Sequence, residues 1–424
     1  MPKTYLIVVP VAAYRLGPGQ FAIEGPFAAH LHLLREKLGS LGADMVLAAP
    51  YMCEHAYVTQ KHLLTVVDEA RDGIRFNGMY PAQSGTREFY RGIVGLYKAM
   101  KKEVEAADVV HAGPSPLSRP FEFLALLLGC KLGKTTISVT DIDHRESAHM
   151  NYATGRWSLK EYLVTKVLHD SIRHLQHVFA VRCCSLVILK GSQMALDYGK
   201  KRSNVKYILD SAFSEGHIIP DTQLQDKANS LKDLSNPVQL AYFGRLVEYK
   251  GIAHMLCAVQ HAIGRGAHVR FHIIGDGPQR ADLEKLSRNL GLGRAVAFHG
   301  AIPFGPQLFD QLYRMHILLA APLSQDTPRS ALDAMASAQT VIAYDTYYYR
   351  ELALAGAPVV VVPWLAKDAL GQKIADTVAD RSTLVSNMEQ AVQFAQQNTQ
   401  EIWLNRRIDW TRAVVANASA DRAA

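Results

Sequence analysis

The 424-residue chain is poor in cysteine, in charge and in long apolar runs, and each shortage excludes something. Its five cysteines (Cys53, Cys130, Cys183, Cys184, Cys257) are odd in number and lack metal-ligand spacing. That pattern argues against a disulfide framework or a structural zinc site, and implies reduced thiols in a cytoplasmic protein. The longest apolar helical run, Phe121 to Cys130, is interrupted by Glu122 and falls well short of the roughly 20 residues a bilayer requires. The apolar run Tyr5 to Ala13 has no basic lead-in or small-residue cleavage site, so it reads as a first core strand rather than a signal peptide. No internal repeat is visible, and the only biased tract is the alanine-rich tail. Charged residues make up 20% of the chain, with a net charge of +7 and a pI near 9.0. This mild excess permits an anionic substrate or an anionic lipid surface, identifies neither, and gives no reason to expect nucleic acid. The length and a 49% hydrophobic content suit a globular protein of two domains.

What is present is clearest in the second half. Gln239 to Gly251 reads as a short buried strand, Leu240 to Phe243, followed by a turn at Gly244. Arg245 comes next, and Lys250-Gly251 precede an apolar helix carrying Ile252, Met255, Leu256 and Val259. Two cations beyond the carboxyl end of a strand lie where open α/β sheets bind ligands. Arginine offers a planar fork and lysine a point charge, a pair able to hold a diphosphate. The same pair would also suit a solvated loop. Further strands are expected at Arg270 to Ile274, Ala295 to Phe298, His316 to Ala320 and Thr340 to Tyr344. Each ends in a glycine-rich or polar loop. Strands alternating with helices at this spacing predict a parallel, doubly wound sheet. Thr327-Pro328 reads as a helix start, with Thr327 as N-cap and the free N–H groups of Ser330 and Ala331 available to an anion.

Gly244-Arg245-Leu246 with Lys250-Gly251, Ile273 to Pro278, Val296 to Gly300 and Leu332 to Ala336 occur in the order and spacing of group 1 glycosyltransferases. The chain resembles that large, retaining class strongly from about residue 238 to 362, and in layout elsewhere. The resemblance implies a GT-B fold: two Rossmann-like, doubly wound α/β domains facing each other across a cleft. It implies transfer of a sugar from a nucleoside diphosphate sugar to a sugar, glycan or lipid-linked acceptor. Neither metal nor other cofactor is expected. Arg245 and Lys250 would assist departure of the diphosphate, with Gly244 and Gly275 shaping the donor loops. Main chain around Gly300, Ala301 and Ile302 would meet the base.

The family carries two glutamates eight positions apart at this helix. Here the second is replaced by Asp333, expected on the ribose, and the first by Gln325 with Asp326 beside it. Either Asp326 supplies the sugar-facing charge, or the neutral amide of Gln325 serves without it. Ala338 and Thr340 stand where the family usually has glycine and proline, a change expected to affect packing only. Two rival activities fit the same motifs: epimerisation of the nucleotide sugar itself, and a degenerate transferase retained as a binding partner.

In the first half, strands are expected at Tyr5 to Ala12, Asp44 to Ala48, Asp108 to Ala112, Thr135 to Thr140, Ser185 to Leu189 and Lys206 to Leu209. Tyr14 to Pro26 reads as a glycine- and proline-rich loop. In it, Gly17 and Gly19 correspond loosely to the family's donor-side glycines, or merely let the chain turn. His144 occupies the position of a histidine that many group 1 enzymes turn toward donor sugar or acceptor. Basic helices at 83–105 and 158–178 suit a peripheral contact with an anionic inner membrane face or a lipid diphosphate, although Glu103, Glu105, Glu161 and Asp170 dilute both patches and favour a solvated surface. The histidines of the second (His169, His174, His177) have no carboxylate or cysteine to complete a metal site. The domain reading is therefore 1–213, a linker 214–237, 238–400 on the donor side, and a last helix in 401–424 crossing back to the first domain.

Overall fold

In the computed structural model, residues 4–39, 44–199, 202–209 and 211–423 are described; the end of the alanine-rich tail lies outside them. The chain forms two compact units. The first comprises Met1–Asp141, Leu163–Ile208 and Leu404–Ala424, and the second Ile142–Tyr162 and Leu209–Trp403.

The first unit is built on ten strands: β1 (Thr4–Val8), β2 (Ala13–Gly17), β3 (Gln20–Glu24), β4 (Asp44–Tyr51), β5 (Leu64–Asp68), β6 (Ile74–Pro81), β7 (Val109–Ala112), β8 (Thr135–Thr140), β9 (Leu186–Lys190) and β10 (Val205–Ile208). Their order is β10-β9-β8-β7-β1-β4-β2-β3-β5, with β6 also pairing β4. The parallel centre is apolar on both faces, as a sheet covered by helices on each side must be. On one face Leu31, Leu34 and Leu38 of helix Gly25–Leu38 pack with Leu404, Ile408 and Val415 of the last helix, Gln400–Ala423. On the other, helices Ile93–Ala106, Phe121–Lys131 and Asp170–Cys183 supply Met100, Leu126 and Ala180.

Tyr14 to Pro26, expected as a loop, instead holds the antiparallel hairpin β2–β3. Gly17 and Gly19 lie at its turn, where a Cβ would meet open space in either case. Phe21, Ala22 and Ile23 are buried, and β3 pairs β5. Burial of that apolar triplet outweighs the turn-forming composition around it.

The second unit has six strands: β11 (Val238–Phe243), β12 (Val269–Ile274), β13 (Val296–Gly300), β14 (Ile317–Ala320), β15 (Thr340–Tyr344) and β16 (Val359–Val362). Their order is β13-β12-β11-β14-β15-β16, all parallel. This is the doubly wound arrangement in which the strand order reverses between β11 and β14, leaving a crevice at their carboxyl ends. Residues 214–237, read from sequence as a linker, belong to this unit and contain helix Asp221–Ser230. That helix is anchored by Ile219, whose N–H donates to the Ala336 carbonyl (2.8 Å), and by the buried Lys227.

Candidate active site

The switch point brings two loops together. After β11, the Gly244 N–H donates to the Ile274 carbonyl (2.9 Å) and the Leu246 N–H to that of Asp276 (2.9 Å), binding this loop to the one after β12. The approach is so close that a Cβ on Gly275 would sit 1.9 Å from the Gly244 oxygen. Gly251, with φ of 67°, presses equally on the end of β14, 1.9 Å from the Ala321 oxygen by the same measure. Backbone contact alone thus fixes where Arg245 and Lys250 emerge.

Arg245 is exposed; its guanidinium donates to the Tyr249 hydroxyl (3.1 Å), and its carbonyl accepts from the Tyr242 hydroxyl (2.8 Å). Among the described residues it has no carboxylate partner. Lys250 does have one: its ammonium is paired with Asp326, both side chains being more than four-fifths buried. The two residues, with Tyr242, Ser330 and Tyr349, line a small cavity beyond β11 and β14. Burial, with a further contribution from Asp326, raises the pKa of both tyrosines and keeps them neutral. Beside Asp326, both amide atoms of Gln325 are buried without a hydrogen-bond partner. Water or a ligand hydroxyl would satisfy them, since such groups are costly to leave unmade.

The helix that follows differs from expectation. It runs from Ser330 to Ala336, and Thr327 does not cap it; Arg329, already helical, precedes it. The Ala331 N–H is turned to the Pro328 carbonyl (3.4 Å), which also accepts from the Tyr348 hydroxyl (2.9 Å). The helix is about two turns long, and its Ala331 N–H is already engaged. Asp333 is 4% exposed, on the buried face rather than the solvent side. Ala338 adopts a positive φ of 54°, so the alanine at the family's glycine position carries strain as well as altered packing.

Gly300 (φ of 76°) accepts from the Gly275 N–H at 2.7 Å, ahead of Ala301 and Ile302. His144 is half-buried in the loop after β8, and its carbonyl accepts from the Ser147 N–H (3.0 Å). Ile142–Tyr162 clusters with the second unit through contacts the sequence did not reveal. Glu146 accepts from the Tyr347 N–H (3.1 Å), while Arg145 and Arg350 lie 5.1 and 5.5 Å from the Tyr347 ring centre. Burial raises the pKa of Glu146. The charge-rich run 141–146 was the available signal; its partner, 200 positions away, was not. Gly17 and Gly19 belong to the other unit. Among the described residues, no cluster of metal-ligating side chains occurs.

Residues 225–399 match the family model described as glycosyl transferases, group 1. This part of the chain is similar to the group 1 glycosyltransferases. It contains Arg245, Lys250, Gln325, Asp326 and Asp333, but not His144, Gly17 or Gly19. The 2-deoxystreptamine glucosyltransferase of Streptomyces kanamyceticus is 30% identical over 105 residues, 25% of this chain and 27% of that protein. The alpha-D-kanosaminyltransferase of the same organism is 28% identical over 123 residues, 29% and 31% of the two chains. The matches thus span under a third of the length of these curated relatives. Among solved structures, Anabaena Alr3699/HepE in complex with UDP superposes with a TM-score of 0.61 at 15% identity, covering 97% of this chain and 99% of that one. Sucrose-phosphate synthase from Thermosynechococcus elongatus gives 0.60 at 15% identity, over 98% and 100%. The fold of the chain is GT-B.

Proposed function

We propose that the protein is a retaining glycosyltransferase, moving a sugar from a nucleoside diphosphate sugar to a glycan or lipid-linked acceptor without metal or cofactor. The observation that carries this reading is the meeting, at the switch point, of an acid-free Arg245, a paired Lys250–Asp326 and the partnerless amide of Gln325. The similarity to two proteins named as sugar transferases, and to one solved with UDP, supports it.

Arg245 meets the diphosphate first. The diphosphate then draws Lys250 from Asp326, and the freed carboxylate faces the sugar. Gln325 takes the sugar hydroxyls, Asp333 the ribose, main chain from Gly300 to Ile302 the base, and His144 the sugar or acceptor. As the anomeric carbon–oxygen bond breaks, its electron pair leaves with the diphosphate, whose growing charge Arg245 and Lys250 stabilise. The acceptor oxygen bonds on the same face, and its proton goes to the departing phosphate oxygen.

A panel of nucleoside diphosphates and nucleotide sugars tests the reading, first by thermal shift and then by turnover in EDTA. A shift of several degrees and sugar transfer that survives chelation are expected. Loss of activity in EDTA, restored by Mg²⁺, would sink the metal-free mechanism. An isomerised sugar formed without acceptor would assign an epimerase, and binding without any reaction a degenerate transferase.

We further propose peripheral contact of the first unit with an anionic lipid surface. Helices Thr86–Arg91 and Ile93–Ala106 expose Tyr90, Val94 and Tyr97 among Arg91, Lys98 and Lys101, an apolar and aromatic stripe edged by cations. Val164, Val167, Leu168 and Leu175 are likewise exposed along the helical run through 163–183. No described helix is long and apolar enough to cross a membrane.

A further inference from the structure

A larger cavity of about 730 Å³ opens in the second unit at the amino-terminal ends of β11 and β14, lined by none of the residues assigned above. Its volume lies within the roughly 300–1,000 Å³ of small-molecule sites. A hydrogen-bonded chain lines it. The Gln239 N–H donates to His316 Nδ1 (2.9 Å), so neutral His316 carries its proton on Nε2 and donates to Ser230 Oγ (3.2 Å). The Gln239 side-chain oxygen accepts from His272 Nε2 (2.8 Å), and His272 Nδ1 then accepts from His299 Nε2 (2.9 Å). Burial holds His316 and His272 neutral, with pKa values lowered to about 3 and about 4. Lys227 and Arg381 add to the effect on His316, and His299 and Arg270 to that on His272.

Lys227 lies at the same end and is 5% exposed. Its ammonium donates to the Ser337 carbonyl (2.6 Å), a dipole at the close of helix Ser330–Ala336, and among the described residues no carboxylate lies within ion-pair distance. Desolvation alone lowers its pKa. A buried cation balanced only by a carbonyl is costly, and an arriving anion would remove that cost. The cavity is also lined by Gln223, Asp226, Asn236, Asp310, Gln311 and Arg314, more exposed amide and charged groups that pair with hydroxyls.

We propose that this cavity is a second ligand site, for a small polyhydroxylated anion whose carboxylate or phosphate sets against Lys227 while its hydroxyls meet the amides of the rim.

Titration calorimetry on the full chain at pH 8 tests this, with glucose 6-phosphate, gluconate, inorganic phosphate and sorbitol. At least one anion should bind while sorbitol does not. Stronger binding by glucose 6-phosphate or by gluconate identifies the head group as phosphate or carboxylate. Lys227→Met should weaken binding at least tenfold. Should that variant fail to fold, the exposed Arg314→Glu should weaken it severalfold, while Arg245→Ala leaves it unchanged. The site is overturned if no anion binds up to about 10 mM or if sorbitol binds as well. Binding lost in Arg245→Ala but kept in Lys227→Met or Arg314→Glu would overturn it too, by placing the anion at the diphosphate loops.

Discussion

Glu122 is a carboxyl group in the first turn of an apolar helix, 6% exposed, and burial pushes its pKa up to about 7. It is therefore protonated in the fold at pH values where the unfolded chain has already ionised it. Its contribution is fully present below the unfolded value near 4.5 and is lost as pH rises through about 7. Glu122→Gln, neutral throughout, should gain on the native chain by up to about 3 kcal/mol between pH 4 and pH 8. Urea melts of both proteins at the two pH values measure this difference. At the donor loops, Asp326→Asn should cut turnover about a hundredfold while binding free nucleoside diphosphate as well as, or severalfold better than, the parent, because Lys250 loses its competitor. Lys250→Ala should weaken that binding, and equal affinity in both variants would dispose of the exchange. The sequence supplied Arg245, Lys250 and the altered acidic pair through local spacing. It did not supply the Lys250–Asp326 contact, since the partners are 76 positions apart and only the β11–β14 pairing makes them neighbours.

Among elements, every strand expected in the second unit forms, because each is a short apolar run closed by a polar or glycine-rich turn. β16, Val359–Val362, escaped notice between two helices although its four valines are a strong strand signal. The hairpin β2–β3 was hidden by its own glycines and prolines, and helix Asp221–Ser230 by a polar face that made it look like a linker. The glycines themselves differ in consequence. Gly275→Ala would drive a methyl into the Gly244 carbonyl and should cost on the order of 2–4 kcal/mol, with loss of activity. Gly17→Ala faces open space and should be nearly neutral in the same melts. Ala338→Gly, relieving a left-handed alanine, should stabilise by about 1 kcal/mol.

For the whole molecule, charge and exposed apolar surface on the first unit lead to a binding assay. Sedimentation with vesicles rich in phosphatidylserine should capture the protein at low salt and release much of it at about 0.5 M. Reversing Lys98 and Lys101 to glutamate should abolish capture without changing transfer to a soluble acceptor. Capture unaffected by those reversals would place the contact elsewhere. The chain passes between the two units four times, at 141/142, 162/163, 208/209 and 403/404.

The last of these crossings bears on how the protein is made. Leu404, Ile408 and Val415 complete a core whose other side chains lie between Tyr5 and Ile188. On the ribosome the first unit is synthesised first, yet it lacks one wall until the final helix clears the exit tunnel. Its apolar face waits through the synthesis of the whole second unit, a period in which partly folded chains are prone to aggregate. Nascent chains stalled before residue 404 should thus stay protease-sensitive in the first unit while the second is already protected. A stop codon a few residues upstream of Leu404 should be far more damaging than its distance from Arg245 and Lys250 suggests.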